Sequence, residues 1–122
     1  MSQRLAPVVL VVEDEHLIRM LAVDAFSDAG FLVVEAQNAA EALRMYAAHT
    51  DITVLFTDVN MPGAMNGIDL AESLKALAPD LHVLVTSALP ILRPVDHLSG
   101  LFIPKPYDLQ DVCGAARRLL AA

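Results

Sequence analysis

Charged and hydroxyl side chains follow the apolar runs of this 122-residue sequence with some regularity. Glu13-Asp14-Glu15 comes after PVVLVV, Asp58 after ITVLFT, Thr86-Ser87 after the run that ends at Val85, and Lys105-Pro106 just past Leu101 to Ile103. Carboxylates that share a small site repel one another and raise each other's pKa unless a positive charge intervenes. A hard divalent cation with oxygen ligands removes the conflict. Mg²⁺ keeps several waters and takes one or two protein carboxylates, leaving room for a phosphate oxygen. Glu13, Asp14 and Asp58 set against such a cation and Lys105 come to roughly −3 against +3. A near-neutral site of this kind suits a phosphoryl group. Asp58 would be the nucleophile that forms an acyl phosphate. The cation and Lys105 would balance charge on the phosphoryl oxygens, and the Thr86 hydroxyl would donate to one of them.

These residues meet only if the chain carries them to one edge. Pro7 to Val12 is a β-branched and aliphatic run, which suits a central strand covered on both faces. Glu15 to Ala29 reads as a helix with Ile18, Leu21, Ala22, Ala25, Phe26 and Ala29 on one stripe, stopped by Gly30. Phe31 to Ala36 is a second strand. Asn38 and Glu41 form a capping-box pattern for a helix that buries Ala39, Ala42, Leu43, Tyr46 and Ala47. Ile52 to Thr57 is a third strand. After the Pro- and Gly-bearing loop Met61 to Gly67, a third helix runs from Ile68 to Ala78 with Leu70, Ala71, Leu74 and Leu77 aligned. Leu81 to Val85 and Leu101 to Ile103 are strands four and five. Pro90 and Pro94 interrupt the segment between them, which predicts a short, distorted or mobile helix from Ala88 to Gly100. Asp108 caps a last helix with Leu109, Val112, Cys113, Ala116, Leu119 and Leu120 on its stripe. Such alternation predicts an α/β fold, a doubly wound five-stranded parallel sheet with helices on both faces. In order 2-1-3-4-5, the ends of strands one, three, four and five bring Glu13, Asp14, Asp58, Thr86 and Lys105 into one crevice. Strand two is then the edge, and its end carries nothing comparable.

Composition narrows the classes. Hydrophobic residues make up 56% and charged ones 19%, which excludes a disordered chain. The length fits one domain, residues 1–122. A net charge of −7 speaks against a nucleic-acid partner, because acidic surfaces repel phosphate backbones. No apolar run nears the ~18 residues of a membrane span, and no signal peptide is evident. A single cysteine fits a reducing cytoplasm. Cys113 itself reads as a packing residue, and His16, His49, His82 and His97 show no ligand spacing.

Taken together, VVEDE (11–15), TDVNMPG (57–63) with Gly67, VTSA (85–88) and FIPKPY (102–107) resemble the receiver domain of two-component response regulators, in order and spacing and over the whole chain. The loop after Asp58 is one residue longer than the family's commonest pattern. The resemblance implies a flavodoxin-like (CheY-like) fold and a stand-alone response regulator in a phosphorelay. It implies Asp58 as phosphoacceptor, with Lys105 and Thr86 assisting. Mg²⁺, or Mn²⁺ in its place, would be held by the Asp14 and Asp58 side chains, by the Asn60 backbone carbonyl and by Glu13 through water. Thr86 and Phe102 would be the switch pair, and Lys105-Pro106 would be cis. The donor would be a sensor histidine kinase or histidine phosphotransfer protein, docking at helix one (His16, Leu17, Arg19, Met20) and the Pro106-Tyr107 loop. A homodimer is compatible with this. Output would run through a downstream protein, or the chain would act as a phosphate sink. It would be no enzyme beyond its own phosphotransfer and dephosphorylation.

Two other readings use the same residues. A metal-dependent phosphatase with an Asp nucleophile typically has an acid two residues later, where this chain has Asn60, which cannot transfer a proton. A receiver-like interaction module working without phosphorylation would not need the full set of acids, hydroxyl and lysine.

Overall fold

The computed structural model describes residues 6–88, 98 and 100–121. Among these residues, five strands and four helices follow in chain order: β1 (Val8–Val12), α1 (His16–Asp28), β2 (Leu32–Ala36), α2 (Ala39–Ala48), β3 (Ile52–Asp58), α3 (Gly67–Leu77), β4 (His82–Ser87), β5 (Gly100–Pro104) and α4 (Leu109–Ala121). The strands form one parallel sheet in the expected order, β2-β1-β3-β4-β5. The helix expected across Ala88 to Gly100 falls almost wholly outside the described residues.

β1 is buried at every position because both its faces are covered. Val8, Leu10 and Val12 join the core under α2 and α3, with Leu55, Val83, Leu70 and Leu74. Val9 and Val11 join the core under α1 and α4, with Phe26, Phe56, Leu84 and Val112. The near-continuous apolar runs of β1, β3 and β4 are the sequence's answer to this two-sided burial.

Helix ends follow local chemistry. α1 closes in a Schellman motif: Phe31 N–H donates to the Phe26 carbonyl and Gly30 N–H to the Ser27 carbonyl. Gly30 takes φ +94° there, and the rings of Phe26 and Phe31 meet edge-on at 5.1 Å. Asn38 accepts from Glu41 N–H at 2.8 Å, as expected, but the Glu41 side chain accepts from Gln37 N–H, so this is half a capping box. The complete box is at α3, between Asn66 and Asp69. Asp108 accepts from Gln110 N–H at 2.8 Å and starts α4.

Three residues assigned to buried stripes are exposed. Leu21 is 52% exposed, because α1 faces the sheet chiefly through Ala22 and Phe26. Leu77 is the last residue of α3, and Ala78 and Leu81 pack on the core in its place. Ala47 follows the half-buried Leu43 by one turn, at the margin of its stripe, while Met45 and Tyr46 pack inward. The strands also run further than their apolar residues: β3 includes Asp58, and β4 includes Thr86 and Ser87.

Candidate functional site

Register brings the strand ends together. Asp58 pairs with Thr86 across β3 and β4. Val12 pairs with Thr57, so Glu13 emerges beside Asp58. Pro104 pairs with Ser87, and Lys105 follows it through a cis Lys105–Pro106 bond.

One carboxylate oxygen from each of Glu13, Asp14 and Asp58 lies within 4.8 Å of the others. Glu13 and Asp58 are 5% and 6% exposed, whereas Asp14 faces solvent. Lys105 Nζ stands 3.1 Å from Asp58 Oδ2 and 3.8 Å from Glu13 Oε1. The Asn60 N–H donates to Asp58 Oδ1 at 3.2 Å. Both oxygens of Asp58 therefore carry a donor.

The charges are unevenly matched. Burial pushes the Glu13 carboxyl up to about 7; the Glu15 N–H on its Oε2 and Lys105 pull it down, and Asp14 and Asp58 push it further up. Burial works against the Lys105 charge, but its hydrogen bond to Asp58 and the nearby carboxylates outweigh this and raise its pKa. Three clustered acids with one lysine leave negative charge uncompensated. Hard oxygen donors at this spacing can hold a metal ion.

Thr86 carries a second signal. It is 1% exposed, and its Oγ1 is buried with no hydrogen-bond partner among the described residues. A buried hydroxyl without a partner is costly, roughly 1–3 kcal/mol. Such a group suits an acceptor that arrives with a ligand. Phe102, the expected switch aromatic, pairs with Val85 in register, is half-buried and packs on the core under α2 and α3.

Some supporting residues are not legible as chemistry in the sequence. Arg19, expected on an exposed docking face, instead turns inward. Its Nη1 donates to the Glu13 carbonyl at 2.8 Å and its Nε to Glu35 Oε1 at 3.0 Å, and Nη2 lies 3.1 Å from His16 Nδ1. The end of β2, read as blank, thus anchors the turn that bears Glu13 and Asp14. Gly67 is a second case. A Cβ there would lie 2.1 Å from the Asp58 carbonyl oxygen, so only glycine lets α3 begin against the back of Asp58. Ser87 is a third, since it accepts from the Asn60 side chain through Oγ. Arg19 and Glu35 carry the faint signal of opposite charge. For Ser87 nothing short of the β4 register would have sufficed.

Beside the site, Ile18, Ala88, Lys105, Pro106 and Tyr107 line a shallow, mostly apolar hollow. The Tyr107 ring packs edge-on against Phe56 at 5.9 Å, and burial raises its hydroxyl pKa. On α1, Leu17 and Met20 are exposed at 63% and 44%. Cys113 is buried in the core under α1 and α4, where burial raises its thiol pKa. Among the described residues, no helix is long and apolar enough to cross a membrane.

Comparison with known proteins gives the family and the fold. The family model for the response regulator receiver domain matches residues 9–117. The DNA-binding transcriptional regulator NtrC of Rhizobium meliloti is 37% identical over 117 residues, covering 93% of this chain and 24% of that protein. The chain thus spans about a quarter of the length of the NtrC relatives it matches. Sporulation initiation phosphotransferase F of Bacillus subtilis is 27% identical over 116 residues, covering 92% of each chain. The crystal structure of a response regulator receiver protein from Sinorhizobium medicae superposes with a TM-score of 0.88 at 23% identity, covering 96% of each chain.

Proposed function

Because the chain belongs to the response regulator receiver family, we propose that it accepts a phosphoryl group on Asp58 from a phosphohistidine of a sensor histidine kinase or histidine phosphotransfer protein. One Asp58 carboxylate oxygen attacks phosphorus. The P–O bond forms as the P–N bond breaks, and the imidazole leaves with the electron pair and takes a proton from solvent. Hydrolysis later returns the carboxylate and releases inorganic phosphate. Lys105 neutralises charge on the incoming oxygens, and the Thr86 hydroxyl donates to one of them. The observation that carries this reading is the Asp58 carboxylate, buried between Lys105 and the Asn60 N–H and paired in register with a hydroxyl that has no hydrogen-bond partner among the described residues.

Asp14 and Asp58 by side chain, Asn60 by its backbone carbonyl and Glu13 through water are the residues that would hold Mg²⁺, or Mn²⁺ in its place; when bound, the ion supplies the positive charge that offsets the clustered carboxylates and a phosphoryl group. The donor docks on α1, where Leu17, Met20 and Leu21 are exposed, and on the Pro106-Tyr107 loop, where an apolar hollow adjoins Lys105. Residues 1–122 act as one receiver domain in the cytoplasm, a signalling unit that turns over no separate substrate. Phe102 shifts with Thr86 on phosphorylation. Ala88, two residues after Thr86, has no polar group to block or hold the attacking water, so the adduct has a moderate lifetime.

The test is to incubate the protein with Mg²⁺ and phosphoramidate and weigh it. A gain of about 80 Da on the wild type and none on Asp58→Asn is expected. A wild type without adduct, donor and metal having been verified, overturns the proposal. So does an unmodified Asp58 beside an adduct elsewhere. An adduct that persists for days would refute the moderate lifetime.

A further inference from the structure

Four hydrogen bonds close a ring around Asp58. Asn60 N–H holds Asp58 Oδ1 at 3.2 Å, and Lys105 Nζ holds Oδ2 at 3.1 Å. On the far side both residues reach Ser87. The Asn60 side-chain amide donates to Ser87 Oγ at 3.0 Å, and the Lys105 backbone N–H donates to the Ser87 carbonyl at 3.0 Å. Ser87 is 2% exposed and fixed in the β4 ladder opposite Pro104, so it is a rigid anchor. Asn60 is its opposite: exposed, outside β3, in the loop that precedes α3.

We infer that Ser87 is a positioning residue, whose hydroxyl ties the Asn60 loop to β4 and so pre-orders the Asn60 backbone for a divalent cation beside Asp58. The inference rests on the reading of Asn60 and Asp58 as metal ligands given above. A loop residue free to rotate must be ordered when the ion binds, and that ordering weakens binding; a bond made beforehand removes the penalty. The Lys105 arm uses the Ser87 backbone, which any residue supplies, whereas the Asn60 arm needs the hydroxyl. Ser87→Ala therefore cuts one arm and leaves the other. Asn60→Ala cuts the same arm from its other end and keeps the backbone carbonyl.

The experiment measures Mg²⁺ affinity by calorimetry and, separately, the rate of adduct formation from phosphoramidate at saturating Mg²⁺. It compares wild type, Ser87→Ala, Asn60→Ala and the double variant. Each single variant is expected to need about threefold to tenfold more Mg²⁺, the size of one neutral hydrogen bond. The double variant is expected to need no more than either single one, because all three lack the same bond. Saturating Mg²⁺ is expected to bring the rate of Ser87→Ala back toward wild type, as befits a residue that acts through metal affinity. Unchanged affinity in Ser87→Ala, or effects that multiply in the double variant, overturns the inference. Should Ser87→Ala fail to fold, unchanged affinity in the surface variant Asn60→Ala overturns it equally. A wild type that binds Mg²⁺ but gains no adduct refutes the phosphoacceptor reading and leaves the Ser87 test intact; a wild type that binds no Mg²⁺ overturns both.

Discussion

Burial holds the Glu13 carboxyl near a pKa of about 7, against an ordinary value of 4.5, so the folded protein keeps a proton that the unfolded chain has already released. Between those two values the unfolded state binds fewer protons, and stability falls as pH rises. The loss begins as pH climbs past 4.5 and is complete above about 7. Its upper limit is about 3 kcal/mol, from about 1.4 kcal/mol for each unit of pKa. Urea melts in the presence of a chelator should show the protein more stable at acidic than at neutral pH across this window. Glu13→Gln should flatten that slope, and an unchanged slope would remove Glu13 as its source. The acid cluster itself was legible from residue type and position at strand ends. The division between buried Glu13 and exposed Asp14 was not, since adjacent residues leaving a strand look alike until the turn is known. Arg19 and Ser87 were named, but their supporting roles were not legible, for a related reason. Glu35 lies 16 residues from Arg19 and Asn60 lies 27 from Ser87, and local pattern carries no record of such pairs.

At the scale of elements, two glycines of the loop region make a controlled pair. Gly67 opens α3 with the Asp58 carbonyl oxygen 2.1 Å from where a Cβ would sit, while Gly63 has φ +109° and nothing within 4 Å of that place. Gly67→Ala should cost about 3 kcal/mol or more and disturb Asp58, because backbone must move. Gly63→Ala should cost about 1 kcal/mol, from the left-handed conformation alone, and leave phosphorylation as it was. Thermal melts with adduct yields on both variants check the contrast, and equal losses would contradict it. Asn66→Ala, which removes the side chain that accepts from Asp69 N–H, should cost about 1 kcal/mol and shorten α3 from its start. Periodicity located every described helix within a residue or two. It placed Leu21, Leu77 and Ala47 wrongly because a 3.6-residue stripe gives a direction, not how far the opposing sheet extends beneath it.

For the whole molecule, the sheet order followed from the alternation of buried strands with amphipathic helices, and from the absence of any comparable acid, hydroxyl or lysine after Glu35-Ala36 on the one strand assigned to the edge. Glu35 on that edge qualifies the second argument, since through Arg19 it supports Glu13 from a distance. The net charge of −7 makes a global prediction as well. Mg²⁺ should raise the melting temperature along a saturating curve, worth about 2.7 kcal/mol at a hundred times its dissociation constant. Sodium chloride of equal ionic strength should not reproduce that curve, and Asp14→Asn should suppress it. A rise that follows ionic strength alone would mean simple screening.

The parallel order has one more consequence, visible when the chain is followed as it is synthesised. Glu13 and Asp14 emerge with β1 and Asp58 with β3, but Lys105 trails β5, nearly last. A growing chain that has already paired β1 with β3 confronts its three acids without their lysine. The final strand to dock therefore also delivers the counter-charge, so the sheet's outermost pairing and the relief of its central repulsion are a single late event in assembly.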